Sequence, residues 1–152
     1  MLNNLQERSA PGTAPAAPEN PRPRKPAVLV VDDDPEVLLV TKDMLFQLGF
    51  LATTASDGHE ALQICSLGLT DLVLTDLVMP GQEGIETILM IREKFPGMPI
   101  VAMSGGFAAS RNYLNLAKQA GAATVILKPF TLDDLRHEIN SALPFELQVR
   151  RA

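Results

Sequence analysis

Four short apolar runs, each ending on a charged or hydroxyl-bearing side chain, constrain this chain more than any other feature. They read VLVVD, LVLTD, IVAMS and TVILK, and the residues that close them are Asp32, Asp76, Ser104 and Lys128. Runs of this length that are apolar on both faces are the mark of inner parallel strands covered on each side by helices. A fifth, weaker segment at Leu51–Thr54 fits an edge strand. Between these segments lie stretches long enough for one helix each. Strand and helix thus alternate five times, which predicts an α/β fold: a doubly wound parallel sheet with helices on both faces.

Punctuation residues set the expected boundaries. After the first strand, Val28–Val31, Asp34 stands at an N-cap position, Pro35 at the first helical position and Gly49 at the stop. In DGHE, Asp57 and Glu60 fit a capping box for the second helix. The third strand is Asp71–Asp76, the third helix Glu83–Lys94, the fourth strand Pro99–Met103 and the fourth helix Ala109–Ala120. The fifth strand is Thr124–Leu127, and the last helix starts after Thr131 and ends at Pro144.

Residues 1–26 have a different composition. They hold six of the twelve prolines and almost no large apolar side chains, so they cannot bury enough surface to offset ordering entropy. A disordered tail is expected there, with Arg22, Arg24 and Lys25 as a small basic cluster, followed by one domain over 27–144 and a short tail over 145–152. The tail after Pro144 offers no effector domain, so a single-domain protein is expected. A length of 152 residues with 46% hydrophobic content suits one ordinary core. The net charge of −5 argues against nucleic acid as a direct partner. No apolar run reaches the roughly 18 residues of a membrane helix, and no secretory leader is visible, so a cytoplasmic location without membrane insertion is expected. The single cysteine, Cys65, falls in a helix-core pattern and reads as a buried structural thiol. His59 and His137 read as surface residues.

In open parallel sheets, binding sites form beyond the carboxyl ends of the strands, where strand order reverses. Asp32, Asp33, Asp76, Ser104 and Lys128 all fall at such ends. Each alone has an ordinary explanation: aspartate caps helices, a serine before Gly105–Gly106 suits a turn, and lysine is usually solvated. Their coincidence at four strand ends points to one site. The run Asp32-Asp33-Asp34 concentrates mutually repelling carboxylates beside a core, which calls for a cation. Asp34, before Pro35, is first of all a helix cap.

The stretches VLVVDDDPEVL, DLVLTDLVMPGQEGIE, VAMSGG and GAATVILKPF, in this order and spacing, resemble the receiver domain of two-component response regulators, in particular the stand-alone chemotaxis-type regulators. The resemblance covers Ala27–Leu143 and implies a flavodoxin-like fold with strand order 2-1-3-4-5. It implies a phosphoacceptor module rather than an enzyme with an external substrate, with Asp76 receiving a phosphoryl group from a sensor histidine kinase. By the same resemblance Mg²⁺ binds Asp33 directly, Asp32 through water or as an orienting group, Asp76, and the backbone carbonyl of Val78. Lys128, ahead of a cis peptide to Pro129, and Ser104 contact phosphoryl oxygens. Two roles are compatible with the resemblance: signalling through phosphorylation-dependent contacts with a target protein, or relaying the phosphoryl group to a histidine phosphotransfer protein. The chain departs from the family at one position. Many receivers place a mobile aromatic residue three positions before the lysine, whereas here stands Val125, whose β-branch restricts its rotamers. Tyr113, at helical spacing, reads as packing with a possible substitute role.

Overall fold

The computed structural model describes residues 24–79, 84–106 and 110–150. Five parallel strands, β1 (Ala27–Val31), β2 (Leu51–Ala55), β3 (Leu72–Asp76), β4 (Ile100–Ser104) and β5 (Thr124–Leu127), form one sheet in the order β2-β1-β3-β4-β5. Helices α1 (Pro35–Leu48), α2 (Gly58–Cys65), α3 (Gly84–Lys94), α4 (Arg111–Ala120) and α5 (Leu132–Ala142) connect the strands and follow the last one. The expected flavodoxin-like architecture is thus present. β3 and β4 are buried along their whole length, as their unbroken apolar runs require.

Side-chain alternation along each strand divides the interior in two. Val28 and Val30 of β1, with Leu72 and Leu74 of β3, pack on Leu45 of α1 and on Leu135 and Ile139 of α5. Leu29, Val31 and Val73 point the other way, onto Ala61 and Cys65 of α2, Ile88 and Ile91 of α3 and Ala117 of α4. Cys65 is buried as expected, and burial raises its thiol pKa. His59 and His137 are exposed.

The caps explain where the helices start. The Asp34 carboxylate accepts the Glu36 amide at 2.9 Å with Pro35 at the first position, and Gly49 closes α1 at φ 92, a left-handed conformation that glycine adopts without strain. Thr131 and Asp134 form a reciprocal capping box on α5. The one expected at Asp57 is only half made. Asp57 accepts the Glu60 amide at 2.8 Å, but the Glu60 carboxylate takes the Ser56 amide and hydroxyl instead of closing onto Asp57. The expected starts of the third and fourth helices, Glu83 and Ala109, lie outside the described residues, as do residues 1–23 of the tail expected over 1–26.

Both ends of the domain differ from expectation. The Arg24 guanidinium grips Asp71 through two 2.6 Å bonds, Pro26 is buried, and its carbonyl accepts the Leu51 amide at 2.9 Å. Arg24–Pro26 therefore belongs to the folded body, and Arg24 is engaged within the chain. At the other end a short 3₁₀ turn, Phe145–Leu147, brings Leu147 and Val149 against the core, and Asn140 exchanges two hydrogen bonds with the Val149 backbone at 2.7 and 2.9 Å. Among the described residues, no helix is long and apolar enough to cross a membrane.

Candidate functional site

Parallel register carries the ends of four strands to one rim. Val31 stands opposite Thr75, Asp76 opposite Met103, and Ser104 opposite Leu127. Asp32, Asp76, Ser104 and Lys128 therefore share the carboxyl edge of the sheet. The chain passes from β1 outward to β2 and returns to β3 on the other side of β1, so the strand order reverses at Asp32 and Asp76.

Asp32 is buried, with its Oδ1 accepting the Asp34 amide at 2.9 Å and its Oδ2 facing the Lys128 Nζ at 3.3 Å. Asp33 is exposed beside it. Asp76 is 8% exposed, and its Oδ1 lies 3.1 Å from the Lys128 Nζ. One carboxylate oxygen from each of Asp32, Asp33 and Asp76 falls within 4.8 Å of the others. Val78 follows on the loop after β3 with its side chain partly in solvent. The Lys128–Pro129 peptide is cis, as the resemblance implied. Ser104 is fully buried, and its hydroxyl has no hydrogen-bond partner among the described residues. Every residue expected at the site lies at this rim.

Electrostatics show what the rim lacks. Burial pushes the Asp76 carboxyl above the ordinary carboxylate range; Lys128 opposes that, and the negative Asp32 adds to it. Burial works to lower the Lys128 pKa, but Asp76 and Asp32 outweigh it and hold the ammonium above its ordinary 10.5. One lysine is thus too little positive charge for this many acids. A divalent cation fits the remaining deficit, and the donors are hard oxygens of the kind Mg²⁺ prefers.

Two features were not legible in the sequence. Gly84 begins α3 against the backbone of the strand end, where a Cβ would overlap the Asp76 carbonyl oxygen and the Leu77 Cα. The glycine falls at the expected start of the third helix, and nothing in the pattern PGQEG shows how closely that helix presses on the strand. The second is Tyr113, whose hydroxyl donates to the Leu77 carbonyl at 3.2 Å, directly after Asp76. Helical spacing had suggested packing, with partial substitution for the missing aromatic as the alternative; the ring does pack on the core face of α4, and only the bond of its hydroxyl had no signal in the sequence.

A five-stranded parallel sheet in this order, with acids, a serine and a lysine gathered at one rim, defines a receiver-type module. The response regulator receiver domain family matches residues 28–140, and the chain belongs to it, a component of two-component signalling systems. It is 35% identical over 116 residues to chemotaxis protein CheY-3 of Vibrio cholerae serotype O1, covering 74% of this chain and 88% of that protein. It is 34% identical over 116 residues to the transcription factor SKN7 of Chaetomium thermophilum, covering 75% of this chain but only 15% of that protein's length. Among solved structures, response regulator TrrA of Thermotoga maritima, in complex with Mg²⁺ and BeF, superimposes with a TM-score of 0.69 at 33% identity, over 78% of this chain and 99% of that one.

Proposed function

We propose that Asp76 accepts a phosphoryl group from a sensor histidine kinase, with Mg²⁺ held at Asp32, Asp33, Asp76 and the Val78 carbonyl. The observation that carries this reading is a nearly buried Asp76 carboxylate 3.1 Å from the Lys128 ammonium and grouped with two further acids. An Asp76 oxygen attacks phosphorus in line, the P–N bond of the kinase's phosphohistidine breaks, and the bonding pair leaves with the imidazole. Lys128 meets the charge on one phosphoryl oxygen, and the Ser104 hydroxyl donates to another. Held by these acids, Mg²⁺ would offset the negative charge that the phosphoryl group adds to the site. Asp32, with Oδ1 on the Asp34 amide and Oδ2 toward Lys128, suits an orienting role, whereas exposed Asp33 has the accessible carboxylate a direct ligand needs. The Thermotoga maritima relative is a complex with Mg²⁺ and BeF, which supports Mg²⁺ as the ion for this acidic group.

The phosphorylated module then alters its contacts with a protein target. A second reading rests on Val125: with no aromatic side chain at that position, the chain passes the phosphoryl group on to a histidine phosphotransfer protein. Incubation with a labelled phosphohistidine kinase tests the first step. Label is expected to move to the wild type and not to Asp76→Asn, and failure of the wild type to take label from any phosphodonor contradicts the reading. Return of label to a histidine protein favours the relay, while phosphorylation-dependent capture of a non-kinase target favours signalling.

A further inference from the structure

The peptide units around Leu77, next to the phosphoacceptor, are tied to three elements. The Leu77 amide donates to the Met103 carbonyl of β4 at 3.0 Å. Its carbonyl accepts both the Gly84 amide, at the start of α3, at 3.0 Å and the Tyr113 hydroxyl, in the first turn of α4, at 3.2 Å. Leu77 is fully buried, and the Tyr113 hydroxyl reaches its carbonyl in a partly buried contact. Met103 in turn precedes Ser104, whose buried hydroxyl has no partner among the described residues. A displacement of either Asp76 or Ser104 therefore reaches Leu77 directly. Val125 on β5 has no polar atom with which to register such a displacement.

We propose that Tyr113 is the positioning residue through which α4 senses the state of Asp76. Its hydroxyl holds α4 to the Leu77 carbonyl while Asp76 is unmodified, and lets go when Asp76 and Ser104 are drawn onto a phosphoryl group. The inference rests on Asp76 being the acceptor. Two details make the contact suited to release. At 3.2 Å it is long for an O–H···O bond, which typically closes to about 2.7–2.8 Å, so a shift of a few tenths of an ångström breaks it. The Leu77 carbonyl keeps the Gly84 amide when the hydroxyl departs, so no buried acceptor is stranded.

The chain contains one tyrosine and no tryptophan, so its intrinsic emission reports on residue 113 and its surroundings. The full chain is titrated with beryllofluoride in the presence of Mg²⁺, with the ¹⁹F resonance of bound fluoride measuring occupancy of Asp76. Tyrosine emission is expected to change in step with that resonance and to stay constant in Asp76→Asn. Tyr113→Phe, which keeps the ring and loses only the hydroxyl, is expected to bind beryllofluoride about threefold more tightly, because one neutral hydrogen bond favouring the unmodified state is gone. A saturating ¹⁹F signal with unmoved emission, or wild-type affinity in Tyr113→Phe, overturns the proposal and leaves Asp76 as the acceptor. Absence of bound fluoride in the wild type overturns the acceptor reading itself, and this inference with it.

Discussion

Asp76 is held between opposing electrostatic demands. Burial and Asp32 favour its protonated form, while Lys128 favours the carboxylate, and the balance leaves its pKa above the ordinary range. The stability this group contributes is therefore present at low pH and lost as pH rises through the raised pKa. Without Mg²⁺, Asp76→Asn is expected to be the more stable protein at neutral pH, and its advantage to shrink toward about pH 4, measured by urea unfolding. An advantage that grows on acidification contradicts this account of the site. Lys128→Ala removes the cation that pairs with both Asp32 and Asp76; we expect a loss of about 1–3 kcal/mol at neutral pH, smaller when Mg²⁺ is added, by the same measurement. The acidic run, the strand-end aspartate and the lysine were legible because each interrupts an apolar stretch. Gly84 and the Tyr113 hydroxyl were not, since their importance lies in how closely α3 and α4 approach Leu77, and no sequence period encodes that distance.

Helix ends explain most of what could be read at the level of elements. Asp34-Pro35, Gly49 and Thr131 are local signals whose partners lie within one turn, so their spacing alone foretold the caps. Asp57-Gly58-His59-Glu60 has the same spacing, yet Glu60 turns to Ser56, whose amide and hydroxyl together offer two donors. The contact between α3 and the end of β3 leaves no room for a side chain. Gly84→Ala places a methyl group where the Asp76 carbonyl and the Leu77 backbone already stand. Since backbone cannot step aside as a side chain can, a loss of about 3 kcal/mol is expected, together with slower phosphorylation of Asp76. Thermal unfolding and an acetyl phosphate time course check the two effects, and a variant with wild-type melting and wild-type rate would show that α3 can move away at little cost.

At the scale of the whole molecule, the boundaries depend on long-range contacts that composition could not reveal. The proline content of residues 1–26 led to the expectation of a tail, but Arg24 lies 2.6 Å from Asp71, which is distant in sequence, and Pro26 serves the edge strand β2. Removing residues 1–23 is expected to leave Arg24–Pro26 in place, whereas removal through Pro26 should lower stability by about 1–2 kcal/mol, given an exposed ion pair and one lost backbone acceptor. Equal melting temperatures for the two truncations would refute that boundary. Arg24 also holds the Asp71 carboxyl below the ordinary 3.8, so this pair stabilises the fold above that value and its contribution fades as pH falls through the lowered pKa. The central claim, however, concerns Asp76, and intact-mass spectrometry after incubation with acetyl phosphate and Mg²⁺ tests it most directly. The account predicts one added phosphoryl group on the wild type, lost in Asp76→Asn and on chelation of the metal; the same mass gain in Asp76→Asn would contradict it.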